Sequence, residues 1–228
     1  MTVAGLSWVQ QGTALFEKTL GGIDDAGLDA PSALPGWRRR HVVAHVASNA
    51  DALVNLLGWA RTGVENPMYS SPAQRAADIE AGAALPAGDL RAKLAAANAR
   101  LAREITAMPE AAWKSEVRTA RGRAVPASEV VWMRTREVWV HAADLDAGTS
   151  LRDVPADVLR ALAGDAAAAM SARPDAPRAA LTATDTGDHW DVGTQGSPAR
   201  VRGELAEVTA YLLGRPGASP GPPLPAWL

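Results

Sequence analysis

Among 228 residues the chain carries four histidines, His41, His45, His141 and His189, and no cysteine. In the stretch REVWVH, Glu137 and His141 stand four residues apart. On a helix that interval places two side chains one above the other on the same face. An acid and an imidazole so placed are half of a metal site, or else a polar contact and nothing more. A catalytic zinc is commonly held by two histidines and a carboxylate, with a fourth position left open. One histidine from a facing helix would therefore complete the set.

The run RRRHVVAHVASNADAL offers two candidates, and a helical wheel separates them. His45 falls at the border of the apolar face formed by Val42, Val43, Val46, Leu53, Val54 and Leu57, beside Asn49 and Leu56. His41 lies further toward solvent, near Asp51 and Asn55. The candidate metal ligands are thus His45, Glu137 and His141. Asp144, one turn beyond His141, is either a fourth ligand or, ranked above that, an acceptor that orients an imidazole N–H. The competing reading joins Arg134, Glu137, His141 and Asp144 into a satisfied interior network, because this polar stripe runs along an otherwise apolar helix. His189, in GDHWD, falls in a turn or on the surface. Two histidines and a carboxylate suit iron, nickel or cobalt as well as zinc.

These residues need helices to hold them, and helical patterns dominate the first two-thirds of the chain. Apolar periodicity predicts helices over 3–20, ending at Gly21-Gly22, over 38–62, over 88–108 and over 128–147. Four long helices suggest a bundle. The segment 63–87 is long for a bundle connection, and is either a functional loop or partly helical. After about residue 155 the pattern changes to an Ala-rich helix over 158–170, a hairpin-like LTATDTGDHWDVG, a strand near 199–202 and a helix in ELAEVTAYLLGR. The Pro-rich end should be extended, with Trp227 as an anchor. The fold class expected is α+β, mainly α: a four-helix bundle over 1–152 and a small α+β domain over 153–228. Trp37, Trp59, Trp132 and Trp139 read as core. Arg215 follows the last helix, either as a cation favoured at a helix C-terminus or as a bidentate partner for a substrate carboxylate.

A formal net charge of -2 with charges spread along the chain gives no footprint for nucleic acid. The N-terminus has no secretory pattern and no run of about 18 apolar residues occurs, so a cytoplasmic protein without a membrane span is expected. A monomer is expected too. The absence of cysteine excludes disulfides, a cysteine nucleophile and thiolate ligands, so any thiol chemistry must use an external thiol.

The segments GWRRRHVVAHVASNADALVNLLGWARTGVENPMYSSPAQRAADI and TARGRAVPASEVVWMRTREVWVHAADL resemble the mycothiol-dependent maleylpyruvate isomerases of the DinB-like metal-binding four-helix-bundle superfamily. The likeness continues through VRGELAEVTAYLLGRP. It implies zinc on His45, Glu137 and His141, a requirement for Arg215 in activity, and mycothiol as cofactor. The implied reaction is cis–trans isomerisation of maleylpyruvate to fumarylpyruvate in gentisate breakdown, by addition of an activated thiolate, bond rotation and elimination. One rival is a mycothiol-dependent S-transferase acting on other electrophiles. Another is a zinc-binding anti-sigma regulator, whose paired cysteines this chain lacks.

Overall fold

The computed structural model describes residues 5–194, 196–225 and 227. Each long apolar-periodic segment is helical: α1 (Leu6–Gly21), α2 (Arg39–Thr62), α4 (Ala87–Thr106) and α5 (Glu129–Asp144). The segment between α2 and α4 contains a further helix, α3 (Pro72–Ala83), so the partly helical alternative for 63–87 holds. The chain divides into two compact units, Met1–Gly148 and Thr149–Leu228, against an expected boundary after residue 152.

In the first unit α2 is the central element, packed by α3, α4 and α5, while α1 lies on α5. Leu53, Leu56, Leu57, Leu90, Leu94 and Leu145 are sealed from solvent between these helices. Such interiors are close-packed, so small residues mark where backbones approach. A Cβ added at Gly12 would fall 2.6 Å from Val138 Cγ2, and glycine there lets α1 close on α5. Arg39 fixes the far end of α5 to the start of α2. Its Nε donates to Leu145 O at 2.8 Å and Nη2 to Asp146 O. A short antiparallel hairpin, β1 (Glu116–Arg118) and β2 (Ala124–Pro126), precedes α5 and buries Val117 and Val125.

The second unit contains α6 (Ala156–Ser171), β3 (Ala179–Ala183), β4 (His189–Val192), β5 (Ala199–Gly203) and α7 (Leu205–Leu213). The sheet order is β4-β3-β5, with β4 antiparallel and β5 parallel to the central strand. Between Pro216 and Pro225 there is neither helix nor strand, and Tyr211 Oη donates to Pro222 O at 2.6 Å. Trp227 is buried. Among the described residues no helix is long and apolar enough to cross a membrane.

Candidate metal centre

His45 sits midway along the first half of α2, and Glu137 and His141 on successive turns of α5. Because α2 packs against α5, the three side chains meet. His45 Nε2 lies 2.9 Å and His141 Nε2 3.2 Å from the same oxygen, Glu137 Oε2. The two rings stand nearly perpendicular, their centroids 4.8 Å apart. One donor atom from each residue falls within 4.8 Å of the others.

Glu137 Oε2 tests whether this is a metal site or a polar contact. The oxygen is buried, and despite two close imidazole nitrogens it receives no hydrogen bond of normal angular geometry. Three ligand atoms that converge in this way, with no well-angled hydrogen bond onto the shared oxygen, suit a common cation. Ligands on a tetrahedral ion at about 2.0–2.1 Å stand about 3.3 Å apart, close to the 2.9 and 3.2 Å that separate Glu137 Oε2 from the two imidazole nitrogens. His45 is sealed off, while Glu137 and His141 retain 17% and 12% side-chain exposure, which leaves the centre reachable from one side.

Asp144 takes the orienting place expected of it. Its Oδ2 lies 2.8 Å from His141 Nδ1, and the carboxylate is only 1% exposed. That contact fixes Nδ1 as the protonated nitrogen and turns Nε2 toward Glu137. Burial lowers His45 below its ordinary value and outweighs the opposing pull of Glu137. Burial acts the same way on His141, but the hydrogen bond to Asp144 and the proximity of Glu137 win and raise it to about 9. Burial alone would raise Glu137, yet the two imidazoles hold it well below the usual carboxylate range.

The metal-free centre therefore keeps a proton on His141 at neutral pH that a bound cation must displace. Binding then releases a proton, so raising the pH favours it. Metal affinity should rise about tenfold per unit from pH 6.5 toward 9 and flatten above. Competition against a chromogenic chelator across that range measures it, and a flat profile would show that His141 carries no such proton.

The other sequence candidates fall elsewhere. His41 accepts the Arg38 backbone N–H through Nδ1 at 3.1 Å and helps cap α2, with its Nε2 3.6 Å from Glu80, outside the converging triad. His189 is exposed at the start of β4, 3.2 Å from Thr182 Oγ1. Arg215 belongs to the second unit. Its backbone N–H caps α7 on Ala210 O, and its Nη1 donates to Leu213 O at 2.8 Å, the helix-terminus role. It also lines a cavity of about 570 Å³ with Tyr211, Ser219 and the Pro-rich segment.

Of the tryptophans, Trp139 is core and donates to Trp8 O at 2.9 Å. Trp37 is only half-buried, with its ring 5.6 Å from that of His45, so it borders the site rather than the core alone. Arg134, counted in the polar stripe, pairs with neither Glu137 nor Asp144 at hydrogen-bond range. It reaches Val46 O, Asn49 Oδ1 and Asn98 Oδ1 instead. Sequence reading missed Arg75, which approaches His45 from the α2–α4 connection and lies over the ring of Tyr69 in the same segment. The Ser71-Pro72 pair at the start of α3 is the signal that could have drawn attention to that segment.

Fold and site together define a helical-bundle protein with a candidate two-histidine, one-carboxylate metal centre and a small α+β unit after it. The profile of the mycothiol maleylpyruvate isomerase N-terminal domain matches residues 9–146, and the chain belongs to that family. Among solved structures it is similar to the crystal structure of a mycothiol-dependent maleylpyruvate isomerase. Identity is 36% with a TM-score of 0.95, covering 100% of this chain and 98% of that one. A histidine-to-alanine mutant of a mycothiol-dependent maleylpyruvate isomerase is similar at 35% identity, with the same coverage and TM-score. No curated protein sequence matches.

Proposed function

We infer that this chain catalyses the mycothiol-dependent cis–trans isomerisation of maleylpyruvate to fumarylpyruvate, a step of gentisate breakdown, with zinc on His45, Glu137 and His141. The observation that carries this reading is the end-to-end likeness to such an isomerase, in a chain whose three ligand atoms converge. A bound zinc supplies the Lewis acidity that keeps a thiol as its thiolate at neutral pH. The protein itself has no cysteine, so the sulfur must be borrowed.

The side chains divide the remaining work. His45 and His141 supply neutral nitrogens, and Glu137 supplies the one anionic ligand. Asp144 holds the His141 proton on Nδ1 and so keeps Nε2 free for the metal. The exposed flank at Glu137 and His141 admits thiol and substrate, while the buried flank at His45 excludes water. Arg215 is assigned a substrate carboxylate, or the enolate charge that grows when a nucleophile adds to the double bond.

The test is conversion of maleylpyruvate by purified, metal-analysed protein with and without mycothiol. Thiol-dependent conversion with about one zinc per chain is the expected result. Turnover of an unrelated electrophile with no turnover of maleylpyruvate would sink the isomerase assignment in favour of S-transfer.

A further inference from the structure

Arg75 reaches the metal centre from a helix that the triad does not use. The start of α3 is fixed by Ser71, whose Oγ accepts Gln74 N–H at 3.0 Å, with Pro72 in the first turn. Its other end is drawn close by Gly82, where an added Cβ would lie 2.9 Å from Ala44 Cβ, one residue before His45. So held, α3 sends the half-buried Arg75 guanidinium to 3.3 Å from His45 Nδ1. The guanidinium also lies 5.8 Å from the centroid of the Tyr69 ring. Among the described residues no carboxylate is within ion-pair range of it.

This contact belongs to one state of the centre only. Guanidinium is always a donor, so His45 Nδ1 accepts here and the ring proton sits on Nε2. A metal on Nε2 reverses the tautomer, because the ligating ring is neutral and must carry its proton on Nδ1. Two donors would then face each other across 3.3 Å with nothing between them to accept. Arg75 must turn away, and a permanent cation beside a divalent ion will take an anion as its new partner. A planar, forked donor suits a carboxylate.

We propose that Arg75 is a substrate-binding residue of this centre: metal loading frees its guanidinium from His45, and it then holds a carboxylate of the anionic electrophile beside the metal. The proposal rests on the metal-centre reading above and adds a residue to it. It makes the centre selective for electrophiles that carry a negative charge.

Maleate is the probe, titrated calorimetrically into zinc-loaded protein with mycothiol omitted so that nothing turns over. The wild type should bind one maleate per chain, Arg75→Gln should bind it at least about 10-fold more weakly, and Arg75→Lys should fall between. Zinc affinity, by chelator competition, should be unchanged or tighter in Arg75→Gln, since a competing donor is gone. Maleate binding in Arg75→Gln equal to wild type, weaker zinc in that variant, or a wild type that does not bind maleate would each overturn the proposal. If the maleate series behaves as stated while maleylpyruvate is not isomerised, the reaction assignment fails and Arg75 keeps its role.

Discussion

Glu137→Gln should strip the centre of its metal and leave the chain folded. Glutamine keeps the shape of the side chain and an oxygen near His45 and His141, but removes the only anionic ligand. Two neutral imidazoles and an amide make a poor site for a divalent ion. The loss should exceed the roughly 10–100-fold that removing an outer partner such as Asp144 costs. Thiol-dependent turnover should disappear with it. Folding should survive, because the His141–Asp144 contact at 2.8 Å does not pass through Glu137 and stays in place. His141→Ala is less clean than the sequence suggests. It would take the cation away from a carboxylate that is 1% exposed, and so add a folding penalty to a metal-binding test. Metal analysis after dialysis, with circular dichroism alongside, decides the matter. A variant that keeps one metal per chain at undiminished affinity would show that Glu137 is not a ligand.

The triad was legible because each part of it is written in short-range spacing. Glu137 and His141 are four apart on one helix, and His45 stands out from His41 by its place at the border of an apolar face. Partners that come from other helices leave no such trace. The stripe containing Arg134 was visible, but spacing along α5 shows only same-helix neighbours, whereas its acceptors are on α2 and α4. Arg75 lay hidden for a related reason: α3 is short and largely polar on its exposed side, and its seat on α2, through Ile79, Ala83 and the close approach at Gly82, is a long-range contact that no periodicity announces. The β1–β2 hairpin has three-residue strands, too short for alternation to register. In the second unit the strands were anticipated, but the parallel pairing of β5 with β3 is a long-range choice that local pattern does not encode.

Arg134→Met should lower stability by about 2–3 kcal/mol, seen as a fall in Tm of roughly 4–12 °C. Arg134 is 1% exposed, and burial pushes its guanidinium down only to about 10, so it stays charged at neutral pH. It donates to Val46 O and Asn49 Oδ1 at 2.9 Å and to Asn98 Oδ1 at 2.6 Å. Asn98 in turn donates to Glu17 at 2.8 Å, so one chain of hydrogen bonds joins α5, α2, α4 and α1. Methionine replaces the aliphatic stem but ends short of the guanidinium and donates nothing. Val46 O keeps its place in the α2 backbone ladder and the half-buried Asn98 can turn to water. The buried Asn49 carbonyl can do neither, and that orphan sets most of the cost. Arg134→Lys should recover part of it, since one ammonium cannot serve both asparagines. Metal affinity should fall as well, by about 10-fold, because Arg134 precedes Glu137 by one turn and Val46 follows His45 directly. The guanidinium thereby sets the register in which the two ligand-bearing helices meet. A Tm within a degree of wild type would show that the network carries no net stability, and unchanged metal affinity would show that the register is held by apolar packing alone.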